Sequence, residues 1–232
     1  SVHVQADINL NQSIEETNWL QNMTENLNFK NINLLPNAII GFADFLDIDV
    51  EKNIIEHLKS KNFRGIRQIL NYDKNNKSVS HANIDYLKDD KWIKNFSLLD
   101  KYNLSFDLSI LYNQAKNAAD LINKEDRILF IINHTLSPII SNNDNFKDWL
   151  DSIKLLSSFE NVVIKLSGFG EFNSNWTEES IRPLILNSID NFGINRCMFG
   201  SNFPVDKYLS SPSYFDYWNS YFNIVEDFSD DE

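Results

Sequence analysis

The stretch Arg196–Asp206, RCMFGSNFPVD, decides how the rest of the chain is read. Cys197, Met198 and Phe199 form a short apolar run of the kind that makes a buried strand. Gly200 and Ser201 break it, Asn202, Phe203 and Pro204 continue as a loop, and a helical pattern begins after Ser210. A buried strand that ends in glycine and small polar residues, then passes into a helix, is how an α/β barrel presents its functional groups. The same residues also fit an ordinary strand-to-loop junction whose Asn caps a turn. The surrounding chain has to separate the two.

That surrounding chain alternates between two periods. Val2–Ile8 reads as a strand, and Ser13, with Glu16 three residues on, caps a helix reaching about Leu27. Ala38–Phe45 is the next strand, followed by a helix over Val50–Lys61 with Ile54, Ile55 and Leu58 on one face. Phe63–Leu70 is a strand, and residues 71–83 form a long polar loop that reads as a lid or an insertion. Ile84–Tyr102 is helical, in one piece or two, before a strand at Leu104–Leu108 and a helix at Asn113–Asn123. Arg127–Asn133, RILFIIN, is a nearly continuous apolar strand of the kind buried on both faces. A helix at Phe146–Phe159, a strand at Asn161–Leu166 and a Thr177-capped helix to Phe192, with a kink expected at Pro183, lead into the opening stretch. A last helix runs from Tyr214 to about Val225.

Seven strands thus alternate with seven helical segments, with no compositional break across residues 1–232. Alternation of this kind predicts one α/β domain of parallel strands joined by right-handed crossovers. A closed (β/α)8 barrel of the TIM type takes eight strands, so the count predicts an open doubly wound sheet or a barrel one unit short.

Composition narrows the function classes. The net charge of -12 disfavours non-specific binding to nucleic acid or to an anionic membrane surface. One cysteine, Cys197, excludes an intrachain disulfide framework and reads as a small core residue in a reducing compartment. No apolar run reaches the length of a membrane span, and the acidic first residues, Asp7, Glu15 and Glu16, do not resemble a signal peptide. The expected setting is cytoplasmic, and the expected partner is a small-molecule substrate, with no nucleic acid and no membrane.

In parallel α/β folds, ligands bind at the carboxyl ends of the strands. The polar residues there are Gln5, Asp7, Asp44, Arg67, Gln68, Asp107, His134, Thr135, Lys165, Ser167 and Asn202. His134 ends the RILFIIN strand in phase with Phe130 and Ile132, and is a candidate metal ligand, general base or carbonyl electrophile. It also fits a core-edge histidine satisfied by backbone. Arg67, in FRGIR, suits a carboxylate or sugar oxygen, or a surface ion pair. Lys165, between Ile164 and Leu166, needs an anionic partner if it faces inward, and snorkels if it faces outward. No HxH or HExxH pair supports a metal site by itself, and no GxGxxG, GxxxxGK[ST] or GxSxG is present.

Taken in order, QADIN, EETNWLQ, FRGIRQ, LSFDL, INHT, NVVIKLSGF and RCMFGSNFPVD resemble the amidohydrolase-related metal-dependent hydrolases of TIM-barrel fold. The similarity is to the branch that contains sugar lactonases and the pyrone-dicarboxylate lactonase, and it runs over nearly the whole chain. The resemblance implies a distorted (β/α)8 barrel acting on a small cyclic ester, a sugar lactone or a carboxylated lactone. A metal-dependent decarboxylase of the same superfamily, or a barrel relic that only binds a ligand, are the alternatives. It implies catalytic roles for His134 and Asn202, and substrate contacts from Arg67, Gln68, Gln5, Lys165, Ser167 and Phe203. It allows one divalent metal, zinc or manganese, with His134 as a ligand, or no metal.

Two departures from the family pattern stand out. The family's HxH-bearing first strand is not in these residues, so the chain is expected to be a barrel lacking that strand and completed, in one arrangement, by a homodimer. Asn202 stands where many members carry an Asp general base, and an amide cannot take a proton from water near neutral pH. Asp206, four residues on, is the substitute the sequence offers.

Overall fold

In this computed structural model, which describes residues 1–6, 9–26, 36–139 and 143–229, the strands line up in chain order. The strands are β1 (Val2–Val4), β2 (Ala38–Gly41), β3 (Phe63–Ile69), β4 (Ser105–Ser109), β5 (Phe130–Ile132), β6 (Val162–Leu166) and β7 (Cys197–Phe199). All six pairings are parallel, as crossover helices between successive strands require. Among the described residues no pairing joins β7 to β1, so the curled sheet forms a half-barrel with two edges. Asp7 and the ends expected for the first strand and first helix lie outside the described residues.

Helices cover the convex face. The helices are α1 (Ser13–Asn26), α2 (Val50–His57), α3 (Asp90–Phe96), α4 (Leu98–Lys101), α5 (Ala115–Lys124), α6 (Asn143–Ser157), α7 (Phe169–Phe172), α8 (Glu178–Phe192), α9 (Val205–Leu209) and α10 (Tyr214–Ile224), of which α7 and α9 lie beside the strand ends. The segment expected as one or two helices over Ile84–Tyr102 contains α3 and α4, which meet at Ser97, and Asp89 sets the start of α3, its side chain accepting from Trp92 N at 2.9 Å. Pro183 sits inside α8 without ending it. The short helices α7 and α9, each in the segment that follows a strand end, have no apolar periodicity long enough to announce them.

The core lies between sheet and helices. Phe106 and Phe130 of the sheet meet Phe96 of α3 at ring centroid distances of 4.8 and 5.7 Å, and Trp92 stacks on Phe96 at 4.9 Å. All four are fully buried, so the apolar area removed from water here is large, and the stacked and edge-to-face ring contacts add to it. The strands are less two-sided than RILFIIN suggested. Phe130 and Ile132 are buried, whereas Ile131 between them is half-buried on the concave side. β6 alternates in the same way, with Val163 and Lys165 half-buried between buried Val162, Ile164 and Leu166.

The register between β3 and β4 depends on Gly65, which pairs with Ser105. A Cβ at Gly65 would fall 2.3 Å from Ser105 Oγ and 2.6 Å from the Ser105 carbonyl oxygen. Gly65→Ala is therefore expected to cost about 1–3 kcal/mol of unfolding free energy, the usual range for overpacking. Urea titration checks this, and an unchanged midpoint would mean the two strands can separate there freely.

Candidate active site at the strand rim

Parallel register places Arg67 of β3 opposite Asp107 of β4, and Asp107 opposite Ile131 of β5. Asp107 has no exposure. An ionised carboxylate buried to that degree needs compensating charge and hydrogen bonds. The Lys165 ammonium, reaching across from β6, pairs with its Oδ1, and Asn133 at the end of β5 donates Nδ2 to the same atom at 3.1 Å. Lys165 therefore faces inward with an anionic partner. Arg67 donates from Nη2 to the Gln5 carbonyl, which brings the end of β1 to the same place.

His134 does not continue the strand phase of Phe130 and Ile132. The backbone leaves β5 in four consecutive left-handed residues, with φ of 52° at His134, 52° at Thr135, 61° at Leu136 and 48° at Ser137. Left-handed backbone costs a non-glycine residue about 1–2 kcal/mol. The turn lays the imidazole over Gly168, where an added Cβ would come within 2.5 Å of His134 Nδ1. Gly168 itself has φ 72°, so both space and conformation call for glycine there. Ser167 Oγ lies 3.2 Å from Nδ1, and Nε2 lies 3.9 Å from Glu171 Oε2 on α7. Burial first, then the positive charges of Arg67 and Lys165, lower the His134 pKa to about 3, so the ring is neutral at ordinary pH.

Glu171 has the opposite perturbation. Burial, with the negative charge of Asp206 adding and Arg67 opposing, raises its pKa to about 7. It is then partly ionised near neutral pH, the condition in which a carboxyl group exchanges protons most usefully. Sequence reasoning missed Glu171. The one available signal is its place in GFGEF, immediately beyond the β6 carboxyl end.

Asn202 sits at φ 54° and donates Nδ2 to Asp206 Oδ1 at 2.7 Å. Asp206 Oδ2 accepts from the Tyr217 hydroxyl and from Gly170 N at 3.2 Å. With no exposure and both oxygens engaged, Asp206 is a clamp joining α7, α9 and α10. Burial raises its pKa against these three donors.

The structure thus brings Arg67, Lys165, His134 and Ser167 together, with the Gln5 carbonyl, and reaches Asn202 through Asp206. Gln68 faces the helical layer, donating to Asp44 Oδ1 at 3.2 Å and accepting from Trp92 Nε1 at 2.7 Å. Phe203 packs edge-on against Tyr214 and Tyr217, at 5.3 and 5.8 Å between centroids. His57 and His3 are structural. His57 bonds Thr17 Oγ1 and the Phe42 carbonyl at 2.9 Å each, and His3 bonds Glu16 at 3.0 Å. Cys197 is partly buried, and burial holds its thiol up at about 11.

Among the described residues no group of three or more His, Cys, Asp and Glu side chains is arranged to hold a metal ion. The donor chemistry points the same way, because His134 already has Arg67 and Lys165 as its electrostatic neighbours. These residues alone do not fit a divalent cation. No helix among them is long and apolar enough to cross a membrane.

A parallel half-barrel with ionisable groups gathered at its strand ends defines an α/β rim site. The chain belongs to the amidohydrolase family, whose model matches residues 14–232. It is 35% identical over 229 residues to the uncharacterized protein y4mH of Sinorhizobium fredii, covering 99% of this chain and 74% of that one. It is 24% identical over 183 residues to an L-fucono-1,5-lactonase of Burkholderia ambifaria, covering 73% of this chain and 56% of that one. The fold matches an amidohydrolase from Burkholderia multivorans solved with bound HEPES, with TM-score 0.79 and 19% identity over 98% of this chain and 76% of the other. The same enzyme solved with zinc gives TM-score 0.78 and 19% identity, again over 98% and 76%. A probable 2-pyrone-4,6-dicarboxylic acid hydrolase from Acinetobacter baumannii matches with TM-score 0.72 and 16% identity over 97% and 76%.

Removing one partner of a buried ion pair leaves the other uncompensated, at a cost of about 3–5 kcal/mol. Lys165→Met should lose stability on that scale, and adding Asp107→Leu should restore most of it, as a double-mutant cycle by chemical denaturation would record. Additive losses in the double variant would mean the two charges do not depend on each other.

Proposed function

We propose that the rim site hydrolyses a small cyclic ester, a sugar lactone or a carboxylated lactone. The observation that carries this reading is a carboxyl group poised near pH 7, Glu171, facing a neutral imidazole, His134, beside two cations, Arg67 and Lys165. The names of two similar proteins, an L-fucono-1,5-lactonase and a probable 2-pyrone-4,6-dicarboxylic acid hydrolase, point to the same reaction class.

Each residue then has a role that its surroundings allow. With Nδ1 accepting from the Ser167 hydroxyl, His134 carries its hydrogen on Nε2 and directs it toward the space shared with Glu171. That N–H polarises the ring carbonyl, and the Glu171 carboxylate takes a proton from the attacking water. The ring carbon–oxygen bond breaks as the tetrahedral intermediate collapses, and Glu171 returns the proton to the leaving alkoxide. Arg67 and Lys165 hold substrate carboxylate or hydroxyl oxygens, and give the rim a local positive field within a chain of net charge -12. Asn202 fixes the loop through Asp206 and exchanges no proton.

Initial rates on a panel of 1,5-sugar lactones and carboxylated lactones test this. Because Glu171 must be ionised to act, kcat/KM should rise with pH through about 7, the value its surroundings impose. Glu171→Gln should remove that limb and lower kcat by about 10²–10⁴. Arg67→Lys, which keeps the charge but loses the fork, should act mainly on KM. A panel with no turnover would overturn the lactonase reading, and a limb that survives in Glu171→Gln would remove Glu171 as the base.

A further inference from the structure

We infer that Thr135 and Trp149 are positioning residues for His134, holding its backbone in the left-handed turn from which the imidazole meets Ser167 and Glu171. The inference rests on the hydrolase reading only for its effect on rate.

The β5–β6 ladder stops at Ile132 opposite Ile164, and the next residues of β5 turn away. Beyond that point Thr135 does the joining. Its hydroxyl oxygen accepts from Ser167 N at 3.3 Å, and the hydroxyl lies 3.4 Å from the Ser167 carbonyl and 3.5 Å from the Lys165 carbonyl, to either of which it can donate. One side chain thereby takes the place of ladder bonds between the turn and β6, at two residues that themselves belong to the site. From the other side, Trp149 of α6 donates Nε1 to the Thr135 carbonyl at 2.9 Å. Both residues are fully buried. Bonds from Leu136 N to Asn133 O at 3.1 Å and from Ser137 N to His134 O at 2.9 Å close the turn itself.

Backbone preference does not explain the residue choice. A β-branched side chain at φ 52° is a poor occupant of the left-handed region, where Gly, Asn or Asp is easier. A threonine survives there because its hydroxyl is needed in that place. Backbone held in such a region persists only when its surroundings over-determine it. Here one hydroxyl ties the turn to β6 and one indole ties it to α6.

The test compares Thr135→Val, which keeps shape and loses the hydroxyl, with Thr135→Ser, which keeps the hydroxyl. Backbone 13Cα and 13Cβ shifts of residues 134–137 read the left-handed conformation without any substrate. In Thr135→Val these shifts should leave left-handed values, and kcat on the best lactone should fall about 100-fold with KM little changed, the cost of misplacing a reacting group by about 1 Å. Thr135→Ser should restore both. Trp149→Phe supplies the same readout should Thr135→Val fail to fold. Parental shifts in Thr135→Val and Trp149→Phe would overturn the inference, as would moved shifts with an unchanged kcat. If the parent turns over no lactone, the hydrolase reading fails separately, and the shifts still decide whether these two residues hold the turn.

Discussion

Asp107 is a carboxylate removed from water in the middle of a parallel sheet, and the concave face supplies the partners of one of its oxygens. Its Oδ1 needs an ammonium from β6 and an amide from the end of β5, so three strands must keep their register for the charge to be tolerable. That register also fixes Arg67 on β3 at the level of Asp107. The pairing that makes the interior stable thus sets two cations at the height where the strands end. Fold and site answer to the same requirement.

The strand pleat explains which parts of the site could be read from sequence. Arg67 and Gln68 are adjacent on β3, so only one of them can face the concave side, and the structure gives that side to Arg67. Lys165 and Ser167 are two residues apart and share a phase, which agrees with their meeting at the rim. The strands and their parallel order were legible because alternating apolar segments have periods long enough to recognise. Glu171, Asp206 as a clamp and the turn at His134 were not, because short turns and one-turn helices carry no periodic pattern. Their geometry is set by tertiary partners such as Gly168, Tyr217 and Trp149.

Electrostatics divides the site into two parts that perturb each other. Burial, with Arg67 and Lys165 adding, keeps His134 neutral, while burial and Asp206 keep Glu171 near its midpoint at neutral pH. Neither shift was visible in a chain whose overall charge is strongly negative. Groups pushed in opposite directions within a few ångström are the arrangement that acid–base chemistry uses.

A sheet whose spatial order is its chain order has a consequence for how the molecule comes apart. Every strand is laddered through its backbone only to the strands made just before and just after it, as the staves of an unhooped cask are. Among the described residues no ladder joins the outer staves, so backbone pairing passes from β1 to β7 only through each strand in turn. The middle of the sheet, where Asp107 lies, is then the last part to loosen, and the fraying margins are the surfaces on which a further strand could be laid.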